Sequence, residues 1–368
     1  MLKKRIIAFV LSAAIGVALA FGINAAFPSV FTAGSIKEGL CYETTGVCPD
    51  AVVASVDGVP VPADLYFYFL CYEGAEIDSM LQYYMGGSIE WDMELSEGQT
   101  IKDLVKQGAL ALTQQQLGIE AMAKQYGVTL SDAELDALAA IRAQTMETVG
   151  GEEAYLAEID KMGLREVTYD RLVSSNYLYG SLSALYDTPG SALYVSADTL
   201  MAYAQEQGYI TADHILIKTV DDQMQPLDEE TAAKQKALAE DVLSRLQAGD
   251  GSYEAFAALA DEYSEDPGRL SNPTGYTFTA GEMVEEFDTA ARALAEGETS
   301  GIVESAYGYH IIYRLPLSET VTETLRPAHF DEVVSEYVAG CEIVTSSAAD
   351  SMDPQVVYEA MLSAQANG

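Results

Sequence analysis

The sequence predicts an α+β multidomain fold: an apolar N-terminal helix, a mainly helical domain, and a smaller α+β domain built on a small antiparallel sheet. Three observations predict it. At 368 residues the chain exceeds what one hydrophobic core usually organises. Between about residues 62 and 207, apolar positions recur at the helical period. Beyond residue 210, short β-like apolar runs are interleaved with helix-length segments, which is the pattern of an α+β domain.

The N-terminal element comes first. Met1-Leu2-Lys3-Lys4-Arg5 leads into an uncharged stretch from Ile6 to Ile36, mostly apolar as far as Phe27. A basic start followed by roughly 20 apolar residues suits a bilayer span. Ala18-Leu19-Ala20 also offers a small-x-small cleavage pattern, so residues 1–35 are expected to be a signal peptide or a membrane anchor. The anchor is favoured because the apolar run continues past that site. Either way the body of the protein is expected outside the cytoplasm, at the cell membrane or secreted. Residues 36–50 read as a linker.

The helical domain spans residues 51–207. It opens on the β-branched run Val52 to Val61, broken by the turn-forming pair Asp57-Gly58. Ile101, Leu104, Val105, Leu112, Ile119 and Met122 then share one helical face. Ser131 with Glu134 makes a capping box, and Gly127 upstream suits the end of the preceding helix. Further helices are expected near 131–148, 164–187 and 196–207. Tyr66, Phe67, Tyr68, Phe69, Tyr72, Tyr83, Tyr84 and Trp91 crowd its start. They read as core, with a groove for unfolded polypeptide as the alternative.

Residues 208–317 form the α+β domain. Strands are expected at 211–219, 301–305 and 308–314, helices at 228–248, 252–263 and 284–296, and a loop at 264–276. Pro316 ends the last strand, a polar stretch to Arg326 reads as a linker, and a helix at 327–340 precedes an acidic tail. Residues 318–368 are thus a C-terminal helical segment.

Composition narrows the function. A formal charge of −38 with only 19 Lys and Arg excludes a nucleic-acid role and electrostatic attachment to anionic lipid. Cys41, Cys48, Cys71 and Cys341 lack the paired spacing of a zinc site. Outside the cytoplasm a local Cys41 to Cys48 bridge is open, with four free thiols as the alternative. No Ser-His-Asp order, phosphate-binding Gly-rich loop or metal-binding helix motif occurs, so no cofactor or metal is expected.

Two of the three histidines sit in β-like runs, His214 in Asp213-His214-Ile215-Leu216-Ile217-Lys218 and His310 in Gly308-Tyr309-His310-Ile311-Ile312-Tyr313. Between them lie Tyr263-Ser264-Glu265-Asp266-Pro267, then Phe278, Gly281, Met283 and Phe287, then Gly297-Glu298-Thr299-Ser300. In this order and spacing, over roughly residues 210 to 316, the motifs resemble the parvulin (PpiC-type) peptidyl-prolyl isomerases. The opening of the helical domain resembles the chaperone segments of SurA-like and PrsA-like foldases. In the PrsA-like foldases the isomerase domain is inserted into the helical one, which implies that 318–368 returns to pack on 51–207.

The resemblance implies a foldase that isomerises X-Pro bonds of unfolded, exported, proline-containing polypeptides, held at the membrane by its N-terminal segment. Met283 and Phe287 would line a slot for the proline ring, with Phe278 beside them. His214 and His310 correspond to the family's central histidine pair, either as acting groups or as the frame of the site. Asp266 stands where family members carry Cys or Asp, and its charge would oppose the negative oxygen of the planar amide; the other reading is a turn residue. Ser305 would complete the hydrogen-bond network. Two departures stand out. Asn272-Pro273-Thr274-Gly275-Tyr276 replaces a Gly-Gly-Asp-Leu-Gly run, and Tyr307 replaces a smaller residue, which would narrow the site. His329, outside the matched region, reads as an ordinary surface or interface residue. An inactive parvulin-fold holdase or assembly factor is the alternative.

Overall fold

The computed structural model describes residues 31–96 and 98–366. The expected apolar N-terminal helix lies outside the described residues. Among those described, no helix is long and apolar enough to cross a membrane. The chain divides into two compact units, one running to Tyr194 and resuming at Phe330, the other comprising Val195–His329.

The first unit begins with α1 (Gly39–Thr45) inside the stretch expected to be a linker. Cys41 and Cys48 are buried there in the unit's core, which is why the segment folds. Both are free thiols, as are Cys71 and Cys341, so the Cys41 to Cys48 bridge is not formed. Strands β1 (Val52–Val56) and β2 (Val59–Pro62) form a hairpin whose turn residues, Asp57 and Gly58, both have positive φ, 45° and 75°. That is the two-residue turn that matches strand twist, and it explains the Asp-Gly pair.

Helix α2 (Ala63–Met85) follows. Tyr66, Phe67, Phe69 and, beyond it, Trp91 are buried, whereas Tyr72, Tyr83 and Tyr84 face outward. The aromatic stripe therefore splits between core and surface. A small ribbon, β3 (Glu94–Ser96) and β4 (Gln99–Thr100), leads into α3 (Ile101–Gln125), started by a Thr100/Asp103 capping box. Its predicted face is buried, Leu112 only in part. Helix α4 (Asp132–Val149) carries the Ser131/Glu134 capping box. Helix α5 (Glu152–Lys161), not expected, and α6 (Glu166–Asp187) complete this run.

Helix α7 (Ala197–Glu206) belongs to the second unit and not, as its helical pattern suggested, to the first. Ala204 packs there with Leu317, Val321 and Leu325. Next come β5 (Ile210–Lys218), α8 (Glu229–Ala248), α9 (Tyr253–Tyr263) and a 3₁₀ turn at Pro267–Leu270. Strand β6 (Tyr276–Phe278) lies at the end of the expected loop, followed by α10 (Glu285–Ala293), β7 (Val303–Ser305) and β8 (Gly308–Leu315). The sheet is antiparallel in the order β6-β5-β8-β7.

Side chains alternate across a strand, so the sheet has two faces. Ile215, Ile217, Tyr309, Ile311 and Tyr313 pack against Ala239, Val242, Phe256 and Ala260 of α8 and α9. On the other face Ile210, Ala212 and Ile312 meet Phe278, Phe287 and Ala291. His214 pairs in register with Ile312, and Leu216 with His310. The two histidines are therefore diagonal neighbours on the face that carries α10.

The stretch expected as a linker is helical, part of α11 (Thr320–Gly340), because Val321 and Leu325 have apolar partners. The acidic tail is also folded: β9 (Ile343–Thr345), α12 (Ser347–Ser351) and α13 (Pro354–Ala366). Strand β9 adds to the hairpin, giving the order β2-β1-β9. Ile343, Met352, Val357, Tyr358 and Met361 join the core of the first unit.

Candidate active site

The site lies on the α10 face of the second unit's sheet, and each polar member comes from a different element. Strand β5 presents His214, β8 His310, the end of β7 Ser305, and the turn after α9 Asp266. His214 Nδ1 lies 3.1 Å from His310 Nδ1, and His214 Nε2 lies 3.0 Å from Asp266 Oδ2. Ser305 Oγ lies 2.7 Å from His310 Nε2 and accepts the Tyr307 N–H at 3.1 Å. The four polar residues singled out in the sequence are thus joined end to end.

With both rings neutral, only one assignment gives every contact a donor and an acceptor. The Asp266 carboxylate accepts from His214 Nε2–H. His214 Nδ1 must then accept from His310 Nδ1–H, which leaves His310 Nε2 to accept the Ser305 hydroxyl. Donation runs in one direction from Tyr307 N–H to Asp266.

Electrostatics suit this direction. Burial, the largest influence on Asp266, raises its pKa, but hydrogen bonds from His214, Tyr276 and the Gly268 N–H together hold it well below the usual carboxylate range. Burial lowers the His310 pKa from 6.5 to about 4 against the opposing charge of Asp266. His310, 3% exposed, is therefore held neutral at physiological pH.

The apolar part of the site is Phe287, whose ring stands edge-on to His214 at 5.1 Å and to His310 at 5.6 Å between centroids. Phe287 is buried, 2% exposed. Met283, partly buried, lies one helical turn earlier and packs in the same cluster. Phe278, as buried as Phe287, packs beside it with ring centroids 5.8 Å apart. The main chain of Tyr307 joins the polar chain, while its ring is 40% exposed. His329, within α11, stacks edge-on with Tyr203 at 4.4 Å and has no part in the chain of donors.

Three features were not read from the sequence. The Tyr276 hydroxyl donates to Asp266 Oδ2 at 2.5 Å. Arg269 grips buried Asp213 at 2.7 and 2.8 Å and also Asp261, while Tyr253 donates to Asp213, so the turn carrying Asp266 is tied to β5. Ser264 Oγ accepts the Leu216 N–H at 3.1 Å and continues that tie. Only the β-like alternation Tyr276-Thr277-Phe278 signalled any of these.

Residues 214–315 match the family model described as Rotamase, PPIC-type PPIASE domain, a span containing all eight residues assigned to the site. The matched residues lie wholly within the second unit. Beyond it, the chain is 38% identical to foldase protein PrsA of Halalkalibacterium halodurans over 146 residues, which are 36% of this chain and 38% of that one. PrsA of Geobacillus kaustophilus is 40% identical over 34% of this chain and 36% of its own. PrsA of Caldanaerobacter subterraneus is 33% identical over 66% of this chain and 64% of its own. The match to these relatives covers under two thirds of their length.

Proposed function

We propose that this protein is an extracytoplasmic foldase that isomerises X-Pro bonds in exported polypeptides, held at the membrane by its N-terminal segment. The observation that carries this reading is the hydrogen-bonded chain from Ser305 through His310 and His214 to Asp266, with the Phe287 ring edge-on to both imidazoles. Its physical fit to the reaction is direct. Rotation about a peptide bond meets a barrier of about 18–20 kcal/mol, which arises from amide resonance. No bond is broken, so the site need only favour the twisted amide over the planar one.

In the planar form the carbonyl oxygen carries negative charge, and the Asp266 carboxylate opposes it. Twisting removes that charge and relieves the repulsion. Phe287 and Met283 hold the proline ring, and the histidine pair fixes the direction in which Asp266 is solvated. Each 1.36 kcal/mol gained in this way gives tenfold in rate. The first unit, with exposed Tyr72, Tyr83 and Tyr84, is read as the client-holding part. The −38 charge fits basic, unfolded clients.

The test is a protease-coupled cis/trans assay on X-Pro tetrapeptides with the full chain, His214→Ala and Asp266→Ala. Acceleration by the parent chain and its loss in both variants supports the reading. A parent rate equal to the uncatalysed one would sink it and leave an inactive parvulin-fold holdase.

A further inference from the structure

Asp266 Oδ2 receives two hydrogen bonds, from His214 Nε2 at 3.0 Å and from the Tyr276 hydroxyl at 2.5 Å. Oδ1 receives one, from Gly268 N–H at 3.1 Å. A carboxylate offers about four lone-pair sites, so a single one remains, on Oδ1. The Tyr276 ring is also fixed. It stands on β6, in register with Ala212 of β5, and edge-on to His214 at 5.7 Å. A Cβ on Gly268 would lie 2.0 Å from the Tyr276 hydroxyl oxygen, so turn and ring fit only because residue 268 is glycine.

Tyr276 also falls in one of the two stretches where this chain departs from the parvulin pattern. Burial, then the Asp266 carboxylate, push the Tyr276 hydroxyl well above the usual tyrosine range, so it stays a donor. The other groups facing Asp266 are His214 from β5 and, beyond it, His310 from β8. Arg269 is committed to Asp213 and Asp261.

We propose that Tyr276 is a positioning residue of the isomerase site: its hydroxyl occupies Asp266 Oδ2, so the carboxylate turns one free lone pair, on Oδ1, toward the client amide. This rests on the isomerase reading above. Without the hydroxyl, Oδ2 regains a free lone pair and the carboxylate loses its fixed facing.

The experiment uses the full chain with Tyr276→Phe, Gly268→Ala and the double variant. It follows the Asp266 side-chain carboxyl carbon by NMR titration and the kinetics on an X-Pro tetrapeptide. Tyr276→Phe is expected to move the Asp266 midpoint upward and lower kcat roughly tenfold with KM little changed. Gly268→Ala, which displaces the same hydroxyl, should do likewise. In the Tyr276→Phe background it should add less than about twofold, as contacting sites that share one interaction are not additive. An unchanged Asp266 midpoint overturns the proposal. So does a raised KM with unchanged kcat, which would mean that Tyr276 touches the client. If the parent chain is inactive but the midpoint still moves, the foldase reading fails while the Tyr276 to Asp266 contact stands.

Discussion

His310 should make the second unit unusually sensitive to mild acid. Its folded-state pKa of about 4 lies below the ordinary 6.5, chiefly through burial. Above pH 6.5 the ring is neutral in both folded and unfolded chains and contributes no pH dependence. Between 6.5 and about 4 only the unfolded chain takes the proton, so stability falls as pH drops. Below about 4 both forms are protonated and the loss stops growing. At 1.36 kcal/mol per pH unit the full window is worth about 3 kcal/mol, a large part of the 5–15 kcal/mol typical of a domain. Asp266 acts in another window: its depressed pKa contributes stability that is lost only as pH falls below the ordinary 3.8. The comparison that isolates the histidine is wild type against His310→Gln, by hydrogen exchange at Ile215 and Ile311 from pH 7 to 4, corrected for intrinsic rates. Wild type should lose about 3 kcal/mol more than the variant across that range. Parallel curves would refute the reasoning.

Three further outcomes are expected. Asp64→Asn should cost about 3–5 kcal/mol in urea unfolding followed by the single tryptophan, Trp91, because Arg165 binds fully buried Asp64 through Nε at 2.8 Å and Nη2 at 3.2 Å and would lose its counter-charge. Gly308→Ala should lower thermal stability by about 2–4 kcal/mol, since φ is 145° and a Cβ would meet the Ile217 carbonyl oxygen at 2.2 Å. Met283→Ala should reduce kcat/KM on X-Pro peptides about five- to tenfold, mainly through KM, with little loss of stability; unchanged kinetics would remove Met283 from the proline slot.

Much of the second unit could be read from the sequence because its signals are local. The β-like runs around His214 and His310 announced strands, and the family motifs put Asp266 and Ser305 in order. What stayed hidden was long-range. Tyr276 seemed only an altered loop residue, since its partner Asp266 is reached by strand pairing with β5. That the acidic tail packs on the helical domain is implied only by the resemblance, because its apolar residues Ile343, Val357 and Met361 show their use only where β1 and α2 supply the other half of the core. The stretch at 36–50 was misread for the same reason. Short elements carry too few residues to declare a period.

The pairing of β9 with β1 joins Ala54 to Thr345. As the chain emerges from the ribosome, Val195–His329 is complete before that strand has been made. The second unit can therefore fold first, while β1 keeps an open edge until β9 has been made. Pairings this distant in sequence close slowly. Over that interval Ala54, Ser55 and Val56 present unpaired backbone groups along one edge, so the first unit waits, incomplete, on a second unit that is already whole.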